Sequence, residues 1–129
     1  MGHAVGFWIS FAVTLGLLVT SLVSGIRGGR RVHLVTGPLT LLMLGITIAC
    51  TKILIRNYEF PAEQLNFHLY FSITATCAAV PVLLTGIWLW RNPAARLWHR
   101  LAVWTFVVLA LTATGTGIWL FGYATLKAA

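Results

Sequence analysis

Four histidines, His3, His33, His68 and His99, are the residues of this chain best suited to chemistry. Each stands near the N-terminal end of one of four hydrophobic segments, residues 5–26, 32–54, 67–90 and 98–122. Neutral imidazole ligates haem iron and other transition metals. Antiparallel helices begin on alternate faces of a membrane, so His3 and His68 are expected at one face, and His33 and His99 at the other. In a ring of four helices, the second and fourth share one diagonal, and the first and third share the other. A bis-histidine haem needs opposed helices at matched depth, and both pairs meet that requirement. The expected cofactor is haem b, with His33 and His99 as the preferred ligands to haem iron. Their neighbours Arg30, Arg31, Arg96 and Arg100 match the carboxylate geometry of haem propionates. His68 follows as a ligand, among Phe67, Leu69, Tyr70 and Phe71, a setting suited to a macrocycle. His3 is the weakest member, on a terminus expected to fray. The competing expectation is that all four are interfacial, hydrogen-bonded and chemically idle. Direct ligation of copper, or of a bacteriochlorophyll magnesium, is a further alternative.

The elements that must position these side chains follow from composition. Of 129 residues, 59% are hydrophobic and 9% charged, too few polar side chains to cover a soluble domain of this size. Each segment is long enough, at ~1.5 Å per residue, to cross a ~30 Å hydrocarbon core. Neither the stretch from Gly2 to Ile26 nor that from Phe67 to Trp90 contains Asp, Glu, Lys or Arg. The expected fold is all-α: a single integral membrane domain over residues 1–129, an up-down-up-down bundle of four transmembrane helices. The first segment lacks a basic leader and is followed by Arg27-Gly28-Gly29-Arg30-Arg31, which reads as a retained helix.

The net charge of +7 is expected to set topology and not to bind nucleic acid. Arg27, Arg30 and Arg31 fall in the first loop, and Arg91, Arg96 and Arg100 flank the third, against Lys52 and Arg56 in the second. This bias puts the first and third loops in the cytoplasm and both termini outside, in a bacterial inner membrane. Asn66 is a candidate N-cap for the third helix, and Pro93 marks the turn before the fourth. Pro38 and Pro81 fall inside helices, where each removes a backbone donor. Cys50 and Cys77 differ in depth by roughly 10 Å, which argues for small-residue packing and against a disulfide.

An internal repeat links the last two segments. Seventeen residues after His68 stands Thr85-Gly86-Ile87-Trp88-Leu89, and seventeen after His99 stands Thr116-Gly117-Ile118-Trp119-Leu120. One reading is a helix duplication that reuses a site at opposite ends. The other is common membrane-helix vocabulary, small residues for packing and Trp for the interface. Gly86, Gly115 and Gly117 are expected at close helix contacts. No carboxylate lies inside the apolar segments, which disfavours a proton channel. There is no nucleotide-binding loop or Cys-x-x-Cys.

The stretch Phe67-His68-Leu69-Tyr70, Pro81-Val82-Leu83-Leu84-Thr85, His99-Arg100 and Thr116-Gly117-Ile118-Trp119 resembles the "domain of unknown function 420" family. These are small four-helix bacterial membrane proteins, often encoded near haem–copper oxidases, and some are implicated in oxidase assembly. The resemblance covers about residues 30–123. It implies roles for His33, His68, and His99 with Arg100, and leaves His3 unsupported. Where the family shows His-Arg and then Met in helix two, this chain has His33-Leu34 and Thr36-Gly37-Pro38. The leading expectation is a haem-binding or haem-linked accessory subunit of an electron-transfer complex, partnered by the lipid bilayer and a larger membrane complex or oxidase. The alternative is a cofactor-free assembly or structural subunit packed against a larger membrane enzyme.

Overall fold

The computed structural model describes residues 2–127, with side chains from Ala4 onward; the His3 side chain therefore lies outside the described residues. The chain is all-α, with four long helices: α1 Gly2–Ile26, α2 Arg30–Leu54, α3 Ala62–Arg91 and α4 Arg96–Phe121. All four are long and apolar enough to cross a membrane. They form two antiparallel hairpins, α1 with α2 and α3 with α4, within contact units that divide after Tyr58.

The first hairpin is held by small polar residues. Ser10, Thr14, Ser21 and Ser24 of α1 are buried, as are Thr40, Thr47 and Leu54 of α2. Lipid tails are as apolar as leucine, so large aliphatic side chains gain little by facing another helix, and small residues allow close approach. Val13, Val19 and Leu42 accordingly point away from the hairpin contact and are exposed. Near mid-hairpin the Thr14 hydroxyl donates to the Ser10 carbonyl at 2.8 Å, which leaves its oxygen to accept from the Thr47 hydroxyl at 2.8 Å. Thr47→Val is expected to cost about 0.5–1.5 kcal/mol, within the range of hydrogen bonds between membrane helices, read from denaturant unfolding in micelles.

A tight turn joins α1 to α2. Gly28 has φ 76°, a left-handed conformation that costs little only for glycine. It lets the Gly29 amide donate to the Ser24 carbonyl at 2.8 Å, closing the end of α1. His33 sits one turn into the helix that follows.

The second hairpin departs from the sequence expectation at its entry. α3 begins at Ala62, five residues before Phe67, and its N-cap is Pro61, not Asn66. Pro61 holds φ −59° and ψ 134°, extended geometry that stops a helix from starting earlier. Glu63 then lies in the first turn, where a carboxylate complements the helix dipole. Asn66 is interior to the helix. The turn between α3 and α4 does contain Pro93, in a short 3₁₀ segment Pro93–Ala95, and the Asn92 carboxamide accepts from the Ala94 amide at 3.0 Å. After α4 a short strand, Thr125–Leu126, returns beside Glu59 at the start of the second unit. Both cysteines are free; Cys50 is half-buried and Cys77 is exposed, so Cys77 fills no core position within its hairpin.

Candidate cofactor site

Each described histidine is gripped in the same way. Its ring lies against a glycine of the facing helix, and its Nδ1 meets an oxygen of that helix. His68 of α3 reaches Thr116 Oγ1 of α4 at 3.0 Å, and His99 of α4 reaches Thr85 Oγ1 of α3 at 3.1 Å. A Cβ on Gly117 would stand 3.1 Å from His68 Cε1, and one on Gly86 would stand 3.4 Å from His99 Cε1. In the first hairpin His33 Nδ1 meets the Ser21 carbonyl at 2.9 Å and Ser21 Oγ at 3.3 Å, and a Cβ on Gly25 would lie 3.1 Å from that nitrogen. The approach is close because no side chain intervenes.

The seats also engage the backbone. The Thr116 hydroxyl lies 3.0 Å from the Ala113 carbonyl, and the Thr85 hydroxyl 2.6 Å from the Pro81 carbonyl. Each threonine thus ties the imidazole of the facing helix to its own helix backbone. A carbonyl only accepts, so the contact of His33 Nδ1 with the Ser21 carbonyl makes that nitrogen a donor. Metal-ligating histidines are held in a similar way, with one ring nitrogen on a neighbour that fixes the ring.

The sequence repeat therefore has a structural meaning. Thr85-Gly86 and Thr116-Gly117 are each the landing place for the histidine of the other helix, in one antiparallel register. The tryptophans that follow are also equivalent: Trp88 is 46% exposed and Trp119 is 43% exposed. Both hairpin ends thus carry one module of the same design. His68 and His99 stand about 25 Å apart by helical rise over seventeen residues, so they belong to separate sites. His33 and His99 are carried by different hairpins, each oriented by its own partner helix.

The surroundings of the modules differ. Arg30 and Arg31 are exposed in the first turn of α2, as are Arg96 and Arg100 in the first turns of α4, close in sequence to His33 and His99. The His68 end is aromatic: Phe67 lies 6.0 Å from Trp119 and 5.2 Å from Phe71, and Trp119 lies 5.2 Å from Tyr123. Of the expected packing glycines, Gly86 and Gly117 lie under histidines, whereas Gly115 has nothing within 4 Å of a built Cβ. Gly115 is two residues before Gly117, which turns it through roughly 200° on a helix of 3.6 residues per turn. Sequence reasoning missed Ser21 and Gly25. They belong to no copy of the Thr-Gly repeat, and the signal available was only their small size. Among the described residues no cluster of three or more His, Cys, Asp or Glu side chains forms a metal site. No family model, curated protein or solved structure matches the chain.

Proposed function

We propose that this chain is a small b-type haem-binding membrane protein, an accessory subunit of a respiratory-type electron-transfer complex in a bacterial inner membrane. The observation that carries the proposal is the shared seat of the three described histidines: each Nδ1 meets an oxygen of the facing helix, the kind of outer contact that orients a ligating imidazole. This donor set fits haem iron. His33 and His99 would hold the iron, and Arg30, Arg31, Arg96 and Arg100 would neutralise the propionates. The haem, when bound, supplies one-electron redox chemistry. The chain's contribution is to fix the ring orientation beforehand through the contact at Nδ1. The resemblance to the oxidase-associated family agrees with this reading. Purified protein is expected to show a Soret band, and a sharpened α band after dithionite. Its absence after haem reconstitution would overturn the proposal.

The same hydrogen bonds favour a second reading, in which the histidines are polar fastenings within the hairpins of a cofactor-free structural subunit. Bonds from His to Thr across membrane helices contribute about 0.6 kcal/mol on average. That reading predicts a small stability loss in His99→Ala and a wild type without visible absorbance.

The proposed orientation places the arginine-bearing loops in the cytoplasm. Cysteines introduced at Gly29 and Asn92 are expected to react with an impermeant thiol reagent only when it is offered from the cytoplasmic side. Labelling of either from the opposite side would invert the topology.

A further inference from the structure

The two ends of the α3–α4 hairpin share a histidine module but differ in charge. The His99 end carries Arg91, Arg96 and Arg100 and no acidic residue. The His68 end carries Glu59 and Glu63 against Lys127, and α3 has no Lys or Arg before Arg91. The His99 end is thus wholly basic, whereas the charge at the start of α3 is the Glu63 carboxylate.

A cavity of about 340 Å³ opens at the His68 end, lined by Glu63, Gln64, Phe67 and Trp119. Gln64 precedes His68 by one helical turn, so the cavity adjoins the His68 module on the same helix face. Gln64 Oε1 is buried and has no hydrogen-bond partner. Buried acceptors are normally satisfied, so this oxygen asks for a donor. The charged group at the cavity is a carboxylate, which asks for a cation. The Phe67 and Trp119 rings meet edge to face, with an interplanar angle of 74°, and aromatic faces attract cations. Both side chains are partly exposed, so the cavity is open to the membrane surroundings. A carboxylate, a carbonyl acceptor and aromatic walls, with no donor among them beyond the Gln64 amide and the Trp119 indole, select one chemistry.

We propose that this cavity binds a primary ammonium group, that of a lipid headgroup of the phosphatidylethanolamine type. Glu63 supplies the countercharge, Trp119 and Phe67 supply the aromatic wall, and Gln64 Oε1 accepts one ammonium N–H. A helix that begins at the edge of a membrane-crossing hairpin sets these groups where headgroups lie, and the aromatic cluster of Phe67, Trp119 and Tyr123 matches the interfacial belt. The site is independent of the haem reading.

The test uses the full chain in detergent micelles with acyl-labelled fluorescent phosphatidylethanolamine, phosphatidylcholine and phosphatidylglycerol. The ethanolamine lipid is expected to bind about tenfold more tightly than the glycerol lipid, the scale of a desolvated cation–π contact. Glu63→Gln is expected to abolish that preference. Gln64→Leu is expected to keep the preference over phosphatidylglycerol but to erase discrimination against phosphatidylcholine, whose trimethylammonium donates no hydrogen bond. Displacement by free phosphoethanolamine would assign the site to a soluble ammonium ligand, and resistance to it would assign the site to the lipid; either supports ammonium recognition. Equal binding of all three lipids by the wild type, or an ethanolamine preference unchanged in Glu63→Gln, would overturn the proposal.

Discussion

His99→Ala is expected to abolish the α band of a low-spin haem, or to leave a five-coordinate high-spin spectrum, while the protein still inserts into the membrane. His33→Ala is expected to do the same, because a bis-histidine iron loses six-coordination when either ligand is removed. Thr85→Val provides the graded control. It keeps the His99 imidazole but removes the oxygen that meets its Nδ1 at 3.1 Å. Loss of such an outer partner typically costs 10–100-fold in metal affinity, so Thr85→Val should bind haem weakly with an otherwise normal spectrum. The graded series separates ligation from fastening. If His99 only fastens α4 to α3, His99→Ala and Thr85→Val remove the same bond and should lower stability by similar amounts, about 0.6 kcal/mol each, with no spectrum to lose. A wild-type spectrum that survives both His33→Ala and His99→Ala would remove this pair from consideration and direct attention to His68.

The fold was legible in the sequence because its determinants are local and additive. Uncharged runs of about membrane length define α1 to α4, and Gly28 and Pro93 punctuate two of the turns. The entry to α3 differs from the sequence expectation because Asn66 offers a capping side chain while Pro61, five residues earlier, already ends the extended segment and sets the start of the helix. From Ala62 onward the helical backbone needs no cap at Asn66. The repeat was visible as letters, yet its purpose depends on which helix faces which. Only the antiparallel register of α3 and α4 turns Thr85-Gly86 and Thr116-Gly117 into reciprocal seats for His99 and His68. The contact of each ring with its threonine, and of each threonine with Pro81 or Ala113, lay beyond the sequence altogether. The cavity at Glu63 and Gln64 is hidden in the sequence because both residues precede the uncharged run, and only the start of α3 at Ala62 gives their side chains a register.

The strongest structural prediction contrasts two glycines on α4. Gly117→Leu is expected to separate the His68 end of the hairpin, and Gly115→Leu to leave it intact. At Gly117 even a Cβ would meet His68 Cε1 at 3.1 Å, so a leucine side chain has no room unless the imidazole leaves. Displacing the ring breaks its bond to Thr116 Oγ1 at 3.0 Å and disturbs the Phe67–Trp119 contact beside it. Overpacking of this kind costs on the order of 1–3 kcal/mol before the lost hydrogen bond is added. At Gly115 nothing lies within 4 Å of a built Cβ. A leucine there replaces a residue of poor helix propensity, a change of about 1 kcal/mol in the stabilising direction. Gly117→Ala sits between them, since its single methyl requires the His68 ring to give by a few tenths of an ångström. Unfolding in micelles should therefore rank the chain as Gly115→Leu at or above wild type, then Gly117→Ala, then Gly117→Leu. Equal losses at positions 115 and 117 would mean that helix packing at this end does not turn on the imidazole–glycine seat, and would undercut the shared design inferred for His33 and His99.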